Sequence, residues 1–239
     1  MATTVVLLPG NMCDARLWRE LPAAVFGDAR VIHADLSQDV TIRSMAARAL
    51  KSAAGPLLPI GFSMGAIVAV EMARIAPKRV AGLILSSYNA AADLPERAAR
   101  RPLQQSEAAA GGLERLLVEE LKPNYLAACH RDDAAMRALL RDMGLSLGAK
   151  VFIQQSEALR NRADRRKSLT NLKIPVLFAC GLEDQLCPPE WHRQWMTAVP
   201  GSRLALVAGA GHMLPLEQPD AFARAIKQWL IDNERKLSL

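Results

Sequence analysis

No stretch of this chain reaches the ~18 consecutive apolar residues that a membrane-spanning helix needs. Met1, Ala2, Thr3 and Thr4 run straight into Val5, Val6, Leu7 and Leu8. With no basic segment ahead of a long apolar core, no secretory signal is expected. The four cysteines, Cys13, Cys129, Cys180 and Cys187, form no Cys-x-x-Cys pair and share no zinc-like spacing with histidine. Neither a metal nor any other cofactor is expected, and a reducing cytoplasm with free thiols is the expected setting. Aromatic residues amount to 5% and do not interleave with the basic ones. The formal charge of +6 therefore does not point to nucleic acid. The densest basic run, residues 160–167, reads as a solvated helix face, with an anion-attracting patch as the lesser alternative.

What is present suits one α/β domain, or one carrying an insertion: 239 residues, 51% apolar and 23% charged. The chain is organised around residues 57–73. An apolar run, Leu57-Leu58-Pro59-Ile60, enters Gly61-Phe62-Ser63-Met64-Gly65, and a helix-forming stretch leaves it. Gly-x-Ser-x-Gly between strand and helix is the pattern of a nucleophile elbow. The serine sits on a strained turn, and flanking glycines let strand and helix approach. The Met64 N–H, at the helix start, points where an oxyanion would form.

Residues 5–8 read as a buried parallel strand, broken by Pro9-Gly10-Asn11-Met12. Leu17, Trp18, Leu21 and Val25 have helical spacing over residues 16–25. A second strand is expected over 31–35, a helix over 41–54, and a strand over 80–85. This βα rhythm implies a parallel sheet with right-handed crossovers. Between residues 90 and 171 no strand is evident. Helices are expected over 96–110, 113–121, 134–143 and 150–162, with breaks at Gly111-Gly112, Pro123 and Gly144. Strands resume at 174–179 and 203–207, with helices over 189–199 and 219–231. The expected division is a core of residues 1–89 and 172–239 and a helical insertion of residues 90–171.

In a parallel sheet the chemistry lies beyond the C-terminal strand ends. Cys180-Gly181-Leu182-Glu183-Asp184 follows one strand, and Gly209-Ala210-Gly211-His212 follows another. The order Ser63, Asp184, His212 is nucleophile, acid, base. A serine hydroxyl needs a base to take its proton, and an imidazole titrates in the right range. A carboxylate on the far ring nitrogen sets the tautomer. Backbone N–H groups of Asn11 and Met64 are the candidate oxyanion donors. Met12 and Met213 are candidates for an apolar acyl pocket, although methionine is mostly core filler. His33, His130 and His192 read as structural or surface residues. With an imidazole as base, hydrolysis should climb through about pH 6 to 7.

On these motifs, with Leu8-Pro9-Gly10-Asn11, Trp18, Pro188 and Leu216-Glu217-Gln218-Pro219, almost the whole chain resembles the α/β-hydrolase fold superfamily. It is most similar to compact lidded esterases and C–C hydrolases, including pimeloyl-ester carboxylesterases. The resemblance implies a mostly parallel sheet flanked by helices, and a lid formed by the insertion. It implies a cofactor-free serine hydrolase acting on a small or medium carboxylic ester. Lactone opening, dienoate C–C cleavage and a non-enzymatic binding protein are the alternatives. Ser63 excludes a haloalkane dehalogenase, which needs a carboxylate nucleophile. The chain departs from the family at Pro9, where His-Gly usually begins, at Phe62, a frequent histidine, and at Ala66, a frequent glycine. Asp35-Leu36-Ser37 leads into no Gly-x-Gly-x-Ser loop, which shortens one pocket rim. Pro59 stands in an expected central strand, where it loses a ladder bond. The strand should then pair only from Ile60 onward, or be irregular before it.

Overall fold

Every strand runs parallel. β1 (Thr4–Leu8), β2 (Val31–His33), β3 (Leu57–Phe62), β4 (Leu83–Ser86), β5 (Val176–Gly181) and β6 (Arg203–Val207) form one sheet in the order β2-β1-β3-β4-β5-β6. The computed structural model describes residues 2–19, 21–121 and 124–237; the break expected at Pro123 lies outside them. Strand side chains alternate between two cores. Val6, Leu8, Leu83, Leu85 and Phe178 face one, and Val5, Leu7, Ile84, Leu177 and Ala179 the other.

The helices supply the covering layers. α1 (Leu21–Phe26) packs on the second core, and α2 (Ile42–Lys51) and α3 (Met64–Ile75) on the first. Thr41 caps α2 by accepting the Ser44 N–H, and Ile42, Met45, Ala46 and Ala49 form its buried stripe. α3 is buried from Met64 to Ala73, so it is apolar on every side. The helix expected over 16–25 is two pieces, a 3₁₀ turn at Ala15–Trp18 and α1, because Arg19 takes a left-handed φ of 41° between them.

Between β4 and β5 the described residues hold no strand. α4 (Pro95–Glu107) continues through π-helical turns and α5 (Leu113–Arg115) to residue 121, and α6 (Ala134–Arg160) and α7 (Arg166–Thr170) follow. The break expected at Gly144 is at Gly148, where φ is 81°. Gly144 stays helical and serves contact instead: a Cβ there would lie 2.5 Å from Leu117 Cδ1. α8 (Pro189–Ala198), α9 (Leu214–Glu217), α10 (Pro219–Asp232) and α11 (Glu234–Leu237) complete the chain. α10 buries Phe222, Ala223, Ile226 and Trp229.

Two expectations need correction. Pro59 is accommodated asymmetrically. β3 pairs with β1 from Leu57 onward but with β4 only from Ile60, apart from one bridge between Leu57 and Val80. The Leu57 N–H donates to Arg79 O and the Ser63 N–H to Ser86 O, both toward β4. Two-residue alternation turns Pro59 to that same side, where the ladder is already interrupted. The basic run is also no solvated helix. Arg162, its side chain 5% exposed, pairs with Asp93, and Arg165 pairs with the buried Glu71 on α3. Of the run's five basic residues, Arg162 thus binds within the helical segment and Arg165 ties that segment to α3.

No helix among the described residues is long and apolar enough to cross a membrane.

Candidate active site

Strand order reverses beside β1, which has β2 on one side and β3 on the other. The loops leaving β1 and β3 therefore diverge and open a crevice at their C-terminal ends. Asn11 follows β1 and Ser63 follows β3, so both sit at that crevice. Ser63 has φ 52° and ψ −113°, a strained conformation between strand and helix. The turn is tight enough that a Cβ on Gly65 would lie 1.9 Å from Leu8 O.

Two distant loops close on Ser63. β5 ends at Gly181, and Asp184 follows within one turn, its N–H on Gly181 O. His212 follows β6 through Gly209-Ala210-Gly211. Ser63 Oγ is 3.0 Å from His212 Nε2, and both Asp184 carboxylate oxygens are 3.0 Å from His212 Nδ1. Asp184 Oδ1 also accepts the N–H groups of Leu186 and Cys187. Burial pushes the Asp184 carboxyl up, but the imidazole and the Cys187 N–H outweigh it and hold it below the usual range. Glu183, the neighbouring carboxylate, turns elsewhere and accepts the Ala128 N–H. The His212 ring lies between Phe62 and Tyr125, each 5.2 Å away between centroids. Phe62 is thus an apolar wall for the imidazole.

The Asn11 and Met64 N–H groups have no hydrogen-bond partner among the described residues. Both residues line one cavity with Ser63 and His212, about 360 Å³ in volume.

A profile of the alpha/beta hydrolase family matches residues 5–225. The chain belongs to this family. A pimeloyl-[acyl-carrier protein] methyl ester esterase from Neisseria meningitidis serogroup C is 26% identical over 175 residues, covering 72% of this chain and 68% of that protein. The polyketide synthase ThaQ of Burkholderia thailandensis is 27% identical across 97% of this chain, which spans only 12% of that synthase. Among solved structures, a malate-bound thermophilic esterase from Thermogutta terrifontis superposes with TM-score 0.89 and 26% identity, covering 97% of this chain and 90% of that one. The enol-lactonase of Burkholderia xenovorans shares the fold, with TM-score 0.83 and 23% identity over 97% and 92% of the two chains.

In this α/β-hydrolase two candidate pocket residues fall away. Met12 and Met213 are fully buried and do not line the cavity. Met12, at φ 52°, packs with Leu113, Leu116, Leu117 and Phe152, and Met213 sits in the core under α10. Their thioethers fill core space.

Sequence reasoning missed two positioning side chains. Gln155 on α6 is 2% exposed. Its Oε1 accepts the Met12 N–H at 2.9 Å and Asn11 Nδ2–H at 3.0 Å, and its Nε2–H donates to Leu36 O at 3.2 Å. It therefore holds the loop that presents the Asn11 N–H. With the Asn11 N–H as a candidate oxyanion donor, Gln155→Leu should lower kcat roughly 10- to 100-fold with little change in KM, because that N–H drifts from its place. A fall in Tm with kcat intact would reduce Gln155 to a structural role. Glu217 on α9 likewise braces the His212 loop, accepting N–H groups from Gly211, Met213 and Ala127. Burial lifts its carboxyl above the usual range despite those three donors. Neither residue has a local motif; only Glu217's place in Leu216-Glu217-Gln218-Pro219 hinted at a role.

Cys180 and Cys187 are buried, and burial pushes both thiols up, which keeps them protonated. His192 is buried behind Asp184. Its Nε2 accepts the Tyr88 N–H and its Nδ1–H donates to Pro188 O. Burial holds its imidazole below the usual range against the pull of Pro188 O and Asp184. As pH falls, the unfolded chain takes up this proton first, near pH ~6.5. The group's stabilisation is complete above about that pH and is lost on the way down to the folded value. Tm should drop as pH falls below about 6.5, and His192→Gln, which keeps an acceptor and a donor, should flatten the drop. An unchanged slope would assign the effect to other groups.

Proposed function

We propose that this hydrolase cleaves a small or medium carboxylic ester by way of an acyl-enzyme, with Ser63 as nucleophile, His212 as general base and Asp184 as its orienter. The observation that carries the reading is the unbroken run of contacts from Ser63 Oγ through His212 to Asp184. His212 Nε2 takes the hydroxyl proton as Ser63 Oγ attacks the acyl carbon. Asp184, on Nδ1, stabilises the imidazolium that forms. The Asn11 and Met64 N–H groups receive the tetrahedral oxyanion, and each such donor contributes about 3 kcal/mol in the transition state. His212 then returns the proton to the leaving alkoxide, and a water repeats the sequence to free the acid.

Residues 90–171 act as the lid and residues 1–89 and 172–239 as the catalytic core. The lid reading draws support from the cavity lining, which combines core residues with Arg97, Arg101, Gln104 and Arg162 from the helical segment. The ester reading agrees with the esterase named among its relatives. A fluorophosphonate probe tests the nucleophile. Stoichiometric labelling of Ser63, absent in Ser63→Ala, is the expected result. A folded wild-type protein that resists the probe would overturn it.

A further inference from the structure

The cavity that holds Ser63 is lined by four arginines, Arg97, Arg100, Arg101 and Arg162, against two carboxylates, Asp93 and Glu120. Two positive charges are in excess. Three of the arginines are already engaged. Arg101 and Arg162 both bind Asp93, whose side chain is 2% exposed. Arg100 shares Glu120 Oε1 with Gln104. Arg97 is different. It is half-buried, lines the cavity and has neither an ion pair nor a hydrogen bond among the described residues.

A half-buried guanidinium that lines a cavity and has no carboxylate beside it is placed to bind an anion entering that cavity. Within this chain both carboxylates of the cavity are taken. Arg97, Arg101 and Gln104 recur at helical spacing on α4, so one face of that helix lines the cavity. The field of Arg97 also reaches Tyr125 and Cys187, which adjoin His212 and Asp184. The free cation and the nucleophile therefore serve one space.

Resting on the serine-hydrolase reading above, we infer that the site takes an ester bearing a second, anionic group remote from the scissile bond, and that Arg97 is the specificity residue that binds this carboxylate or phosphate. A planar guanidinium meets either anion with two parallel N–H bonds.

The test compares ester pairs that differ only in charge. One arm uses monoesters of α,ω-dicarboxylic acids against their dimethyl esters, which puts the anion on the acyl side. The other uses acetate esters of phosphate-bearing alcohols against their neutral counterparts, which puts it on the leaving group. Wild-type enzyme should favour the charged member of one arm in kcat/KM, and Arg97→Gln should reduce that ratio at least about 30-fold. Arg97→Lys should restore part of it, and added salt should shrink the wild-type preference. Calorimetry on Ser63→Ala with the free dicarboxylate or phosphoalcohol supplies a readout without turnover. Binding that is lost in Ser63→Ala/Arg97→Gln supports the subsite. A charge-blind wild-type enzyme that still labels with the phosphonate, or a ratio indifferent to residue 97, overturns this inference alone. Absent labelling with intact anion binding overturns the hydrolase reading and leaves the subsite standing.

Discussion

Ser63→Ala should lose about 10⁴- to 10⁶-fold in kcat toward any ester the wild-type enzyme cleaves. The methyl group leaves nothing for His212 to deprotonate and nothing to carry the acyl group. On the proposed mechanism, the Asn11 and Met64 N–H groups and the bound orientation remain and still accelerate attack by water. The fold should hardly respond. Ser63 is only partly buried, and among the described residues its hydroxyl has His212 Nε2 as its hydrogen-bond partner. Alanine and serine meet the same backbone strain at φ 52°. Steady-state kinetics with a p-nitrophenyl ester, beside a thermal melt, would separate the two quantities. A variant that kept more than about 1% of wild-type kcat would place the nucleophile elsewhere.

Gly65→Ala should be the most damaging single change for folding. Its Cβ would lie 1.9 Å from Leu8 O, 2.5 Å from Leu8 C and 2.6 Å from Pro9 O. All three are backbone atoms at the end of a central strand, so no rotamer change relieves the overlap. β1 or α3 must move, and the Asn11 loop and Ser63 move with them. Overpacking against a flexible side chain typically costs about 1–3 kcal/mol; against a rigid strand the expected loss is at least about 4 kcal/mol, which a marginally stable domain does not survive intact. Gly201→Ala is the comparison. Gly201 has a left-handed φ of 77° but nothing within 4 Å of its added Cβ. Strain alone should cost that variant about 1 kcal/mol. Urea unfolding of both would decide; equal midpoints would show that close approach at Gly65 is not what holds the elbow.

Both expectations concern features that local sequence carries well. Gly61-Phe62-Ser63-Met64-Gly65 is legible because it sets a serine between glycines two residues to either side, at the junction of an apolar run and a helix-forming stretch. The strand over 203–207 is found at those bounds, and α10 follows its i, i+3, i+4 stripe. Elsewhere a local rule met a longer-range one. Gly144 looks like a helix breaker, yet its missing Cβ admits Leu117 from a neighbouring helix, while Gly148 makes the turn. Pro59 looks foreign to a central strand, yet it lies between the Leu57–Val80 bridge and Ile60, where β3 begins to pair with β4. Met12 and Met213 adjoin the site in sequence and turn into the core in space.

By itself the sequence determined the alternation of strands and helices, the strand-free stretch between β4 and β5, and the order of serine, carboxylate and histidine along the chain. These follow from periodicity, glycine sterics and side-chain chemistry, all of which act over a few residues. Only the tertiary structure decided which groups touch. Asp184, rather than Glu183, meets His212, because a one-residue step around a turn reverses the direction of the side chain. Gln155 reaches Asn11 and Met12 from more than 140 residues away. Asp93 and Glu120 are spent on Arg101, Arg162 and Arg100, and among the described residues Arg97 has no carboxylate partner. Partnership of that kind is a property of the packed whole, since each long side chain can satisfy several others and the fold selects one.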